Sequence, residues 1–194
     1  MIKGKQINLR VVREKDLETL FELLSDVENR GEYFPIDLPS EPKFRKNFLE
    51  DGFWCEEYGR LLVVDKDDRI LGHMWCFKSV SYFDALEIAG LLFDPKDRNK
   101  GLMTEALGLL VRFLFETKKV NRLQLTVAVG NEASKRVVQK CGFRSEGVAR
   151  QAMFQKGKHL DMEWFSLLRE DYIEYVKHLT RNTIPKSASA GCRR

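Results

Sequence analysis

No stretch of the chain approaches the run of about 18 apolar residues that a transmembrane helix requires. The opening residues, MIKGKQINLR, lack the apolar core of a secretory signal. Cysteine is scarce: Cys55, Cys76, Cys141 and Cys192 show neither CxxC spacing nor paired histidines, which argues against a zinc site and against a disulfide framework. Two phosphate-binding signatures are also missing. Neither GxxxxGK[ST] nor GxGxxG occurs, so a P-loop site and a dinucleotide site are not expected. No internal repeat is visible. These absences lead to the expectation of a cytoplasmic protein with reduced thiols, no metal and no membrane partner.

A basic folded body is missing too, although the formal charge is +4. From Lys177 onward the chain holds Lys177, Arg181, Lys186, Arg193 and Arg194 and no acidic residue; without these five the rest lies near −1. A nucleic-acid-binding domain clusters its basic residues within the folded part, so no nucleic-acid partner is expected. Residues 177–194 read as a basic, disordered tail rich in Ser, Ala and Gly, and residues 1–176 as a single domain.

What is present is the patterning of a mixed α/β domain. Hydrophobic residues make up 43% and charged residues 32% of 194, enough to bury a proper core. Ile7, Leu9 and Val11 alternate as in a strand, and Leu17, Leu20, Phe21 and Leu24 follow at helical spacing. Residues 31–41 hold two prolines and two aromatics and read as an ordered loop before a short helix in EPKFRKNFLEDG. RLLVVDKD and ILGHMWCFKSV then predict two strands joined by a polar turn, with EIAGLLF as the next. Met103, Leu107, Leu110, Val111 and Leu114 mark one buried helical face. Leu123, Leu125, Val127 and Val129 alternate with polar or small residues. A helix over about 131–140 runs to Gly142 as a left-handed cap. FRSEGVARQAMF and HLDMEWFSLLR predict two closing strands. The sheet is expected to be mostly antiparallel.

The chemistry concentrates at DPKDRNKGLMTEAL, where a strand passes into the long helix. A helix N-terminus already carries partial positive charge, so Arg98 and Lys100 at that point favour a negatively charged ligand. Gly101 lets the backbone approach it closely, and Arg98 can add charge-assisted bonds to phosphate oxygens.

Arg98 and Gly101 fit the [RQ]xxGx[GA] loop of the GNAT superfamily of N-acyltransferases, which the sequence resembles; Met103 stands where Gly or Ala is usual. The block NEASKRVVQKCGFRSEGVARQAMF is similar to the ribosomal-protein-alanine/serine N-acetyltransferase branch, through Asn131, Ser134, Gly142, Phe143, Glu146, Gly147 and Arg150. The resemblance covers roughly residues 5–172. It implies a GNAT fold with about seven strands and about four helices, splayed between strands 4 and 5, and acetyl-CoA as co-substrate. The cofactor would lie against the backbone of Leu91, Leu92 and Phe93 and against Arg98, Asn99, Lys100, Gly101, Leu102, Met103 and Thr104, with Asn131 near the thioester. Ser134 matches the serine that protonates the departing sulfur. Each residue also has a plainer role: Asn131 is a good helix N-cap, Ser134 is ordinary in a first turn, Cys141 reads as a small buried hydrophobe, and His73 beside Trp75 as a packed or edge histidine.

The resemblance places a glutamate base where this chain has Met153, which accepts no proton. Glu87 is the substitute it suggests, with Asp161 and Glu163 as further candidates. Without a strong base, an α-amine is the easier acceptor: at pH 7 roughly a tenth or more of it is neutral, against roughly 0.04% of a lysine side chain. Phe34, Pro35, Ile36 and Leu38, with Trp54, would line the acceptor side or bury themselves as local core. A peptide or protein N-terminus, a small amine or amino-acid-like metabolite, an aminoglycoside antibiotic or a polyamine remains open as acceptor, a monomer or a homodimer as assembly, and a CoA-binding regulatory module without turnover as the alternative function.

Overall fold

The computed structural model describes residues 1–183. Eight strands and five α-helices occur among them, in the order β1 (Ile2–Lys3), β2 (Asn8–Val11), α1 (Leu17–Ser25), α2 (Glu41–Asp51), β3 (Tyr58–Val64), β4 (Ile70–Phe77), β5 (Ala85–Leu92), α3 (Leu102–Thr117), β6 (Arg122–Ala128), α4 (Glu132–Lys140), β7 (Arg144–Gln155), β8 (Lys158–Leu168) and α5 (Arg169–Thr183). The strands form one sheet in the order β1-β2-β3-β4-β5-β6-β8-β7. Every pair is antiparallel except β5–β6.

Period-2 alternation sorts the side chains of this sheet to two cores. On one face Ile88, Leu123, Leu125 and Phe165 pack with Leu107, Leu110 and Leu114 of α3. On the other, Leu62 and Val64 meet Leu17, Leu20 and Leu24 of α1 and Phe44 of α2. Each of these side chains contributes roughly 1.5–3 kcal/mol by leaving water, an upper figure for an extended unfolded chain. The α3 face is the one its 3.6-residue spacing predicts. Gly142 takes φ 89° just beyond α4, as a cap at that position requires.

Several expectations are corrected. The sheet has eight strands rather than seven because two residues, Ile2 and Lys3, pair with Leu9 and Asn8; so short an element leaves no periodic signal. The fifth helix, α5, runs to Thr183, so residues 177–183 of the expected disordered tail are helical. Residues 184–194 of that tail lie outside the described residues. Val11 does not continue the inward alternation: it is exposed while Arg10 is buried, because Arg10 donates to both carboxylate oxygens of buried Asp16. Val129 falls beyond the end of β6 and is exposed.

Candidate active site

β5 and β6 run parallel for only three paired positions, Ala85–Arg122, Leu86–Leu123 and Glu87–Gln124. Beyond Glu87 the strands diverge. β6 stays paired to β8 as far as Ala128–Met162, and β5 stays paired to β4 as far as Leu92–Gly72. The β6-facing backbone of residues 88–92 therefore has no strand partner, which is the expected splay. The extra β1 makes the parting strands the fifth and sixth.

The loop after β5 is shaped by short-range bonds. Asp94 accepts the N–H of Lys96 and starts a single 3-10 turn, Pro95–Asp97. Asn99 and Gly101 both take left-handed backbone, φ 60° and 79°, before α3 begins at Leu102. A cleft of about 450 Å³ opens here. Gly90, Leu91 and Leu92 line it from β5, and Arg98, Asn99 and Gly101 from the loop. Leu102, Met103 and Thr104 add the first turn of α3, Asn131 and Ser134 the start of α4, and Tyr33 and Phe34 close it from the α1–α2 loop. Two helix N-termini thus open on one cleft; the N–H groups that start α3 suit an anionic ligand, while at α4 those of Glu132 and Ser134 are taken by Gly130 and Asn131.

The sequence-predicted residues divide. Arg98 lines the cleft and its Nη2 donates to the Leu92 carbonyl at 3.3 Å. Lys100 does not line it; its Nζ lies 3.2 Å from Asp97 Oδ1. Phe93 is buried in the α1/α2 core and gives its N–H to the Leu71 carbonyl at 3.0 Å, so that N–H is spent within the sheet. Met103 is accommodated because position 90 is glycine: a Cβ there would lie 3.2 Å from Met103 Sδ and 2.3 Å from Met74 Sδ. Asn131 Oδ1 caps α4, accepting from Ser134 N at 3.1 Å.

Glu87 sits where β5 and β6 part. By register it shares a face with Phe77, its β4 partner, and with Trp75 and His73 two and four residues before. Asp161 and Glu163 belong to the opposite face: Glu163 pairs with Val127, whose side chain packs in the α3 core. Glu163 also accepts from Ser145 Oγ at 2.6 Å and meets Lys135 Nζ at 2.9 Å, contacts that hold its carboxyl below the usual range. Asp161 accepts the N–H of Gln151. Cys141 is buried and its thiol is pushed up to about 11, as its expected role as a small hydrophobe requires. Trp54 packs as local core on Phe113 of α3.

A second cavity, of about 730 Å³, includes Phe34 and Leu38 of the loop expected on the acceptor side. It lies between α2, the α1–α2 loop and strands β3 and β4, and shares Arg30 and Phe34 with the cofactor-sized cleft. Arg60 and His73 stand on its wall. His73 is stacked between Trp75 and Phe93, with ring centroids 4.6 and 5.3 Å away. Burial pushes its imidazole well below the ordinary value, and the charges of Arg60 and Arg30 push the same way, so His73 is neutral at pH 7. No spacing in the sequence joins residues 30, 60 and 73; the register of β3 on β4 does, by setting Arg60 against Trp75.

Comparison with known proteins decides the family. Residues 6–144 match the acetyltransferase (GNAT) domain. The chain belongs to the GNAT acetyltransferase family. Bacillus subtilis YdaF, whose name assigns it provisionally to ribosomal N-acetyltransferases, is 28% identical over 175 residues, covering 87% of this chain and 94% of its own. The ribosomal-protein-serine acetyltransferase of Escherichia coli is 20% identical, covering 84% and 93%. The crystal structure of a GNAT-family acetyltransferase from Bacillus anthracis superposes with a TM-score of 0.71 at 25% identity, over 87% of this chain and 98% of that one. Spermidine N-acetyltransferase from Vibrio cholerae, solved with CoA and spermine, gives 0.77 at 19% identity over 88% and 99%, a likeness of fold. The GNAT protein described here is an N-acetyltransferase with acetyl-CoA as co-substrate. No helix among the described residues is long and apolar enough to cross a membrane.

Proposed function

We propose that the 450 Å³ cleft binds acetyl-CoA and that acetyl passes directly to a primary amine entering from the 730 Å³ cavity. The observation that carries this is the early end of β5–β6 pairing at Glu87, directly followed along β5 by the left-handed loop of Asn99 and Gly101. An extended pantetheine arm takes the place of the missing strand against residues 88–92, bonding to backbone groups that nothing else in the sheet uses. Arg98 and the free N–H groups at the start of α3 hold the pyrophosphate. A β5 N–H polarises the thioester carbonyl.

The neutral amine nitrogen attacks the carbonyl carbon, the C–S bond breaks, and the thiolate takes its proton from Ser134 Oγ. The proton lost by nitrogen passes to Glu87 or through water and from there restores the Ser134 hydroxyl. No acyl group is transferred to the protein. With Met153 where the relatives' branch has a glutamate, the acceptor is an α-amine, which needs little help to lose a proton. One catalytic domain, whose last helix α5 runs past residue 176 to Thr183, acts in the cytoplasm as a monomer or homodimer; exposed, unpaired Cys55 suits a reducing compartment.

The test is thiol release from acetyl-CoA with a panel of peptide N-termini, amino acids and polyamines, beside calorimetric CoA binding. Ser134→Ala is expected to keep CoA affinity and lose turnover. Comparable rates for matched α-amine and lysine-side-chain acceptors would remove the α-amine assignment, and absence of CoA binding would remove the whole reading.

A further inference from the structure

On the wall of the larger cavity two arginines stand outside ion-pair distance of any carboxylate among the described residues, with Asp37 acting on Arg30 from farther away. Arg60 donates Nε to Tyr58 Oη at 2.9 Å and lies over the Phe53 ring, and its buried Nη1 has no acceptor. Arg30 donates Nη1 to the Pro35 carbonyl at 3.0 Å and Nη2 to the Leu24 carbonyl, and its Nε is buried without an acceptor. His73 is 3% exposed, and neither of its ring nitrogens has a partner. Among the described residues, no carboxylate comes within ion-pair distance of either arginine. The acidic side chains that line the same cavity, Asp37, Glu50 and Asp51, belong to the α1–α2 loop and α2.

A buried hydrogen-bonding group without a partner is costly. Three such groups from three segments on one cavity wall are a preformed demand for an acceptor of hydrogen bonds carrying negative charge. Guanidinium forks match the planar oxygens of a carboxylate or the tetrahedral set of a phosphate. Neutral His73 can donate from one nitrogen without adding charge. The aromatic rings of Trp75 and Phe34, edge to face at 5.8 Å, give the same site an apolar side.

Position relative to the cleft gives this site its purpose. His73 pairs across β4–β5 with Leu91, a cleft residue, and Arg30 and Phe34 border both spaces. We propose that Arg30, Arg60 and His73 form the anion-recognition subsite of the acceptor, so that the amine substrate carries an oxyanion, carboxylate or phosphate, held here while its nitrogen faces the thioester. This rests on the acetyltransferase reading above and narrows it to anionic amines rather than polyamines.

The test titrates the full chain, with and without CoA, with N-acetylalanine, its primary amide and inorganic phosphate. Calorimetry gives the affinities, and the ¹⁵N resonances of the His73 ring report the place. N-acetylalanine is expected to bind at least about tenfold more tightly than the amide and to shift both ring nitrogens. Arg60→Gln and Arg30→Gln, each confirmed as folded by thermal melting, are expected to lose at least about tenfold in that affinity. The same pattern with phosphate in place of N-acetylalanine assigns the oxyanion as a phosphate. Equal affinity for acid and amide with phosphate silent, or wild-type affinity in both variants, overturns the proposal. An anion that binds and shifts His73 in a chain that does not bind CoA leaves the subsite standing and removes the acetyltransferase reading.

Discussion

Lys100 turns back to Asp97, Nζ to Oδ1 at 3.2 Å, and Arg69 Nη1 reaches the other carboxylate oxygen at 3.3 Å. Lys100, one of the two basic residues the sequence offered to an anionic ligand, is thus engaged in fixing the loop. Arg98, two residues earlier, borders the cleft. Replacing Lys100 by alanine is expected to change CoA affinity less than about threefold. Arg98→Ala should cost more than about tenfold, the loss of a charge-assisted bond. Calorimetry with CoA on both variants checks the contrast, and equal losses would return Lys100 to the phosphate site.

Gly90 and Met103 form a second coupled pair. Alanine at 90 puts its Cβ into the space of Met74 Sδ and Met103 Sδ, so Gly90→Ala is expected to destabilise by about 1–3 kcal/mol through overpacking. Met103→Ala in the same chain should recover part of that loss. Urea denaturation of both single variants and the double variant measures the coupling.

Arg10 and Asp16 make a bidentate pair at 2.6 and 3.0 Å, with side chains 2% and 6% exposed. Burial alone would raise the Asp16 carboxyl, yet Arg10 and the Arg13 N–H outweigh it and hold it below its usual range. Asp16→Ala strands a buried guanidinium that keeps Asp68 as its remaining carboxylate partner. The expected cost is about 3–5 kcal/mol, read from the urea midpoint at neutral pH.

Glu146 ties three strands together: Arg122 of β6 donates Nη1 to it at 2.8 Å, and Ser166 of β8 donates its hydroxyl at 2.6 Å. Arg122 above all, then Ser166, lower its carboxyl from 4.5 to about 2 against the opposing effect of burial. A depressed carboxylate stabilises the fold above its unfolded value and loses that stabilisation as pH falls through the folded one. Glu146→Gln is therefore expected to be less stable than the parent at pH 7 and equal to it near pH 2. The difference should be no more than about 1 kcal/mol, because the Glu146 side chain is 41% exposed and screened. Chemical denaturation at several pH values follows it.

What the sequence made legible was whatever repeats with a short period or sits within one motif. The α3 stripe of Leu107, Leu110 and Leu114, the Asn131 cap and the left-handed Gly142 could all be read from spacing. Arg10 could not: an arginine at an apparent outward position looks solvated until Asp16, a turn later, folds beneath it. Lys100 was misleading because its partner Asp97 lies three residues before it in a turn with no periodic signature. The Arg30, Arg60 and His73 cluster is wholly tertiary. It depends on the β3–β4 register and on where the α1–α2 loop comes to rest, neither of which leaves a local mark.

The parting of β5 from β6 also has a cost borne when the cleft is unfilled. Backbone amides at residues 88–92 then form an internal sheet margin, flanked by strands that remain zipped. If the pantetheine arm lies there as proposed, any other extended chain of the right width competes for the same place. Saturating acetyl-CoA should accordingly slow amide exchange along this margin and keep stray peptide segments out, so that the co-substrate is also the guard of the sheet it completes.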